Sequence, residues 1–71
     1  MIIAVFKIGR KIMGYIRREE HYKFYTGKPS DRTSTSSSYS LSVNAFLAAH
    51  EYMRGFGKPY TMICENEKYK Y

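Results

Sequence analysis

Residues 2–18 read Ile2-Ile3-Ala4-Val5-Phe6-Lys7-Ile8-Gly9-Arg10-Lys11-Ile12-Met13-Gly14-Tyr15-Ile16-Arg17-Arg18. The first seven are β-branched and aromatic, which predicts a strand with Ala4, Phe6 and Ile8 on one face. Apolar residues on both sides near its start predict a central, covered position. Gly9-Arg10-Lys11 supplies a hairpin turn, because glycine takes a positive φ without steric cost. From Ile12 onward, Ile12, Gly14 and Ile16 alternate with Met13, Tyr15 and Arg17. That is a second strand, antiparallel to the first.

Beyond it, Glu19-Glu20-His21 is polar enough to turn. Tyr22-Lys23-Phe24-Tyr25-Thr26 is β-prone again, either as a third strand or as a continuation of the second past a bulge. Gly27-Lys28-Pro29 ends it, since proline cannot donate to a ladder. Eight of the fourteen residues in 27–40 are Ser or Thr. A stretch that buries so little predicts a mobile loop, long for so small a domain. Ser40 or Ser42 is then placed to cap a helix. In that helix Val43, Phe46, Leu47, His50 and Met53 form one apolar stripe. Ala45, Ala48 and Ala49 are small and favour the helix, Arg54 suits its C-terminal end, and Gly55 is the expected left-handed terminator. Tyr60 to Glu65 predicts a last strand beside the first, and residues 67–71 a tail that extends it or hangs free.

The expected fold is therefore α+β: a three- or four-stranded, mainly antiparallel sheet in the order β-β-(β)-α-β, with one helix packed on one face. Residues 1–71 make a single domain. Phe6, Phe24, Phe46 and Phe56 are the expected bulky core residues, since the chain has no Trp.

The net charge is +6 and uneven. Residues 1–32 carry eight Lys/Arg against three Asp/Glu, and residues 33–71 carry four against three. A basic half suits an acidic partner. The single cysteine, Cys64, excludes an intrachain disulfide framework and points to a reducing, cytoplasmic setting. The run Met1–Phe6 lacks a preceding positive region and does not read as a signal peptide. No stretch approaches the ~20 apolar residues of a membrane span, so no membrane partner is expected.

Catalytic motifs fail on inspection. Gly27-Lys28-Pro29-Ser30 brushes against a phosphate-binding loop, but Tyr22 stands where the first glycine is needed and Pro29 removes a backbone donor. The same Gly-Lys-Pro recurs at 57–59, read as a second element stopper. Glu19 and Glu20 are adjacent and would face opposite sides of a strand. His21 and His50 lie on different elements, and His50, inside the apolar stripe, reads as a packing residue. Cys64 in an apolar strand reads as inert. The expectation is a non-catalytic chain with no metal and no cofactor.

The signal above background is tyrosine, eight residues in 71, several of them interleaved with cations. Tyr15, Arg17, Arg18, Tyr22, Lys23, Tyr25, Tyr69 and Tyr71 are the candidate partner-binding residues. Tyr and Arg on a sheet face suit a protein interface, with positive charge steering toward an acidic protein surface. The same residues could stack bases and pair phosphates of single-stranded nucleic acid. A third possibility is a homodimer or larger self-assembly through an edge strand. No residue pattern resembles a specific family. The first of the three implies an inhibitor or modulator of a larger macromolecular machine, the scale on which phage- or mobile-element-encoded proteins acting on host enzymes in the host cytoplasm are built.

Overall fold

A computed structural model describes residues 1–29 and 36–64 of the chain. The elements are β1 (Ile2–Ile8), β2 (Lys11–Arg18), β3 (Tyr22–Thr26), β4 (Ser36–Tyr39), α1 (Ser42–Arg54) and β5 (Thr61–Cys64). The five strands form one sheet in the order β4-β3-β2-β1-β5, antiparallel at every pairing. The fold is small α+β, with five strands in place of the expected three or four. Residues 22–26 are a separate strand, and the last strand lies beside the first. The additional strand is β4, drawn from the stretch expected to be a loop. Its Ser-Ser-Ser-Tyr sequence has little β-propensity, so the strand is held by its register against β3, with Tyr39 opposite Tyr22 and packed on the core.

Two irregularities in the β1–β2 ladder decide which residues enter the core. The register shifts between Ile2 and Ala4 and again between Phe6 and Lys7. In the first, Ile3 is an extra residue in β1; in the second, Met13 is an extra residue in β2. A bulge turns two consecutive side chains toward the same side. Ile3 and Ala4 are thus both fully buried, which strict alternation forbids. The continuous apolar start of β1 reflects this bulge, and β1 lies one strand in from the edge, between β2 and β5.

The helix crosses one face, over β2, β3 and β4. It buries Ala45, Phe46, Ala49 and Met53. The two alanines, one turn apart, let the helix approach the sheet closely. This differs from the expected stripe: Val43 is 39% exposed and Leu47 58%, because the helix rotates its alanine side inward. Phe56 is likewise exposed at 39% and does not join Phe6, Phe24 and Phe46 in the core. Neither Ser40 nor Ser42 caps the helix. The N-cap is Leu41, which makes no side-chain cap bond; its carbonyl accepts from the Asn44 N–H at 3.2 Å. Gly55 is right-handed, with φ −61°. The left-handed residue comes two positions later, at Gly57, with φ 66°, after Phe56 N–H and Gly57 N–H have bonded the carbonyls of Met53 and Arg54.

Phe6 is the hub of the core. Its ring meets Phe24 edge-on at 6.4 Å, Phe46 at 6.4 Å and His50 at 5.3 Å. The space for Phe24 comes from Gly14, the residue opposite Phe6 in β2. A Cβ added at Gly14 would lie 2.8 Å from Phe24 Cε1 and 3.0 Å from the Tyr25 carbonyl oxygen. The ring could yield, but the backbone oxygen could not. Gly14→Ala is expected to lower unfolding stability by ~1–3 kcal/mol, the usual cost of overpacking, as read in urea denaturation. A neutral result would show that Phe24 does not depend on that gap.

Candidate functional site

The face of the sheet away from α1 is built in register-locked rows. Ser36, Tyr25, Tyr15, Val5 and Ile63 pair in sequence from β4 to β5, so one row crosses all five strands. On one side of it runs Ser38, Lys23, Arg17 and Ile2, and on the other Ile12, Lys7 and Thr61. The middle row is aromatic and aliphatic, and the flanking rows carry cations. Tyr15 and Tyr25 stack nearly parallel, with centroids 4.9 Å apart and planes 9° from each other. Tyr15 is only 5% exposed although the described helix lies on the other face; Tyr25 lies against it on one side and Val5 is its ladder partner on the other. Ile63, at the β5 end of the row, is 48% exposed.

Of the candidate residues read from the sequence, the structure brings Tyr15, Arg17, Lys23 and Tyr25 together on this face. Arg18 and Tyr22 belong to the other side. They are paired in the β2–β3 ladder, Tyr22 packs on the helix-side core, and the Arg18 guanidinium lies 5.9 Å from the Tyr22 ring centre. The reason is the period of two: where the register is unbroken, as between β2 and β3, neighbours in sequence face opposite sides. Tyr69 and Tyr71 lie outside the described residues.

The charge on this face is partly offset. Glu19 contacts Arg17 Nε at 3.3 Å and Lys23 Nζ at 3.2 Å. The Lys23 hydrogen bond and charge hold the Glu19 carboxyl below its ordinary value, and Glu19 in turn raises Lys23. Both groups are open to solvent, so the arrangement orients the side chains more than it stabilises the fold.

The opposite end of the sheet carries a cation cluster that the sequence reading passed over. Three glycines there have positive φ: Gly9 at 60°, Gly27 at 81° and Gly57 at 66°. Each is followed directly by a cation, Arg10, Lys28 and Lys58. The antiparallel topology places the end of β1, the end of β3 and the approach to β5 at one end of the molecule. A cleft of about 350 Å³ is lined by Arg10, Lys11, Ile12, Gly27 and Lys28. A second, of about 170 Å³, is lined by Ile8, Lys11, Met13, Phe56 and Lys58. Among the described residues none of these four cations has an ion pair. Of the three described carboxylates, Glu19 and Glu20 stand at the far end and Glu51 on the helix. The signal available in sequence was the recurring Gly-Lys-Pro, whose meaning depends on the strand order bringing both turns to the same end of the sheet.

His50 behaves as a packing residue. It is half-buried, touches Phe6 and shares a 2.6 Å hydrogen bond with the Tyr60 hydroxyl through Nδ1. Cys64 is the last residue of β5 and is half-buried. Among the described residues no group of three His, Cys, Asp or Glu side chains could hold a metal ion, and no helix is long and apolar enough to cross a membrane.

Burial first, and the Arg54 charge second, push the His50 imidazole below its ordinary value of 6.5. The unfolded chain then binds this proton more readily than the folded one, so stability present above about pH 6.5 is lost as the pH falls through the lowered value. The melting temperature is expected to drop from about pH 7 to about pH 5, and His50→Gln to drop less steeply over the same range. An equally steep fall in the variant would remove His50 as the cause. Compared with family models, with curated proteins and with solved structures, the chain matches none.

Proposed function

We propose that the chain is a non-catalytic binding module, an inhibitor or modulator that captures an acidic protein surface on the helix-free face of its sheet. The observation that carries this reading is Tyr25 at the centre of that face, half-buried and held in place by its stack on the buried Tyr15. Interface hot spots are well-packed aromatic and Arg side chains near the middle of a contact patch, surrounded by residues that exclude water. Here the central aromatics are already ordered before a partner arrives, which lowers the entropic cost of binding. Val5 and the exposed Ile63 extend the apolar row, and Arg17, Lys23 and Lys7 supply the steering charge.

The same geometry suits base stacking on this face less well. Tyr15 is 5% exposed and gives one ring face to Tyr25, whereas a stacking platform presents an open ring to each base. Arg17 and Lys23 are both engaged by Glu19, which weakens them as phosphate ligands. The rival apolar surface, Leu41, Val43 and Leu47 at 59%, 39% and 58% exposure, contains no aromatic and no Arg hot-spot pair. Isolated exposed aliphatics of this kind are ordinary on monomers.

The test is affinity capture from nuclease-treated cytoplasmic extract, with the immobilised chain compared with Ile63→Asp and Leu47→Asp. Both positions are exposed, so both variants are expected to fold. The expected result is a protein retained by the wild type and by Leu47→Asp, and lost by at least tenfold with Ile63→Asp, which places an unpaired carboxylate in a desolvated contact. Equal retention by Ile63→Asp, or loss confined to Leu47→Asp, would overturn the assignment of the face.

A further inference from the structure

We propose that the end of the sheet opposite the β2–β3 turn is a second binding site, for a single-stranded nucleic-acid segment, which borders the protein-binding face at Ile12. The two clefts there share Lys11 as a common wall. The larger has Arg10, Lys11 and Lys28 around it, three cations without an ion pair among the described residues. Three cations around one concave surface repel each other, and an anion in their midst relieves the repulsion.

The smaller cleft supplies the part that a bare anion site lacks. Its lining is apolar, Ile8, Met13 and Phe56, with Lys11 and Lys58 as its two charged members. Phe56 is 39% exposed and held in place: its N–H bonds the Met53 carbonyl at 3.2 Å, and its ring meets Tyr52 edge-on at 5.1 Å. An aromatic surface next to a cation-lined cleft matches a nucleotide unit, with the base against Phe56 and the phosphodiesters on Lys11, Arg10 and Lys28. A base can enter the smaller cleft only if it is unpaired, which selects a single strand over a duplex. The turns suit the task. At Gly9 and Gly57 a side chain would meet no atom within 4 Å, so the positive φ, not lack of space, is what calls for glycine there. Gly9 and Arg10 make the two-residue turn between β1 and β2, and Gly57 and Lys58 lie in the connection from α1 to β5.

The experiment is fluorescence anisotropy of labelled oligouridylate and oligothymidylate of about twelve residues, within the usual single-strand site size, titrated with the full chain at several salt concentrations. Three phosphate contacts predict a log–log salt slope of about −2, so affinity falls about twentyfold between about 50 and 200 mM salt. Lys11→Gln is expected to weaken binding and flatten the slope by about 0.7. Arg18→Gln removes the same charge at the other end and is expected to change neither. Phe56→Ala is expected to weaken binding about tenfold, the loss of one stacked base, with the slope unchanged. Thermal melts confirm that each variant is folded. The site is overturned if Arg18→Gln acts like Lys11→Gln, since net charge alone would then explain binding. It is also overturned if a duplex of equal length binds as tightly as the single strand, or if polyglutamate of equal charge competes equally, which would make this end a second acidic-protein surface. Because none of these substitutions lies on the helix-free face, loss of this site and loss of protein capture are separable.

Discussion

Everything in this fold depends on how Phe6 is enclosed. Its ring is fully buried and touches rings from β3, from α1 and from Tyr60 ahead of β5. Each such pair adds ~0.5–1.5 kcal/mol beyond the area it buries. A chain of this size has few core residues among which to distribute that task. The enclosure is possible because three positions give up volume: Gly14 beneath Phe24, and Ala45 and Ala49 on the helix. The bulge at Ile3 adds one more apolar side chain to the core than a regular strand of the same length would. Small residues and an irregular ladder are therefore what allow one helix to cover the core of a five-stranded sheet.

A single helix covers one face only. The other face has to solve the problem of exposed apolar surface alone, and it does so by stacking Tyr15 on Tyr25 and placing cations in the rows to either side. The antiparallel topology then sorts the charge along the strands. At the β2–β3 end, Glu19 binds Arg17 and Lys23. At the other end, three glycine turns present Arg10, Lys28 and Lys58 with no carboxylate facing them among the described residues. The two proposed sites follow from that separation: an ordered aromatic face with offset charge suits a protein, and a cation cluster beside an exposed ring suits a strand of phosphates and bases. A modulator of a machine that itself handles nucleic acid would have use for both.

Much of the architecture was legible in the residues. The hairpin of β1 and β2, the helix with its C-terminal Arg54 and the placement of the last strand beside the first all follow from local pattern. Other parts were not. The strand β4 is Ser-rich, and pairing with β3 outweighs its weak propensity. The helix stripe was misjudged because periodicity shows that a helix has an apolar side without showing that two alanines will be chosen to face the sheet over Val43 and Leu47. The candidate site was half legible. Interleaving of tyrosine and cation found Tyr15, Arg17, Lys23 and Tyr25, but it grouped them with Arg18 and Tyr22, which the strand period sends to the other side. The basic end is not legible in sequence because its members, from Arg10 to Lys58, are scattered along the chain and come to one end only after the sheet is assembled.

The central claim is that the helix-free face is where a partner sits. The most direct measurement is methyl NMR of the isotopically labelled chain added to nuclease-treated extract. Val5 and Ile63 report on that face, and Val43 and Leu47 on the outside of the helix. The account predicts broadening and shift changes at the first two, with the helix methyls unaffected. Changes confined to Val43 and Leu47 would contradict it and move the interface to the other side of the molecule.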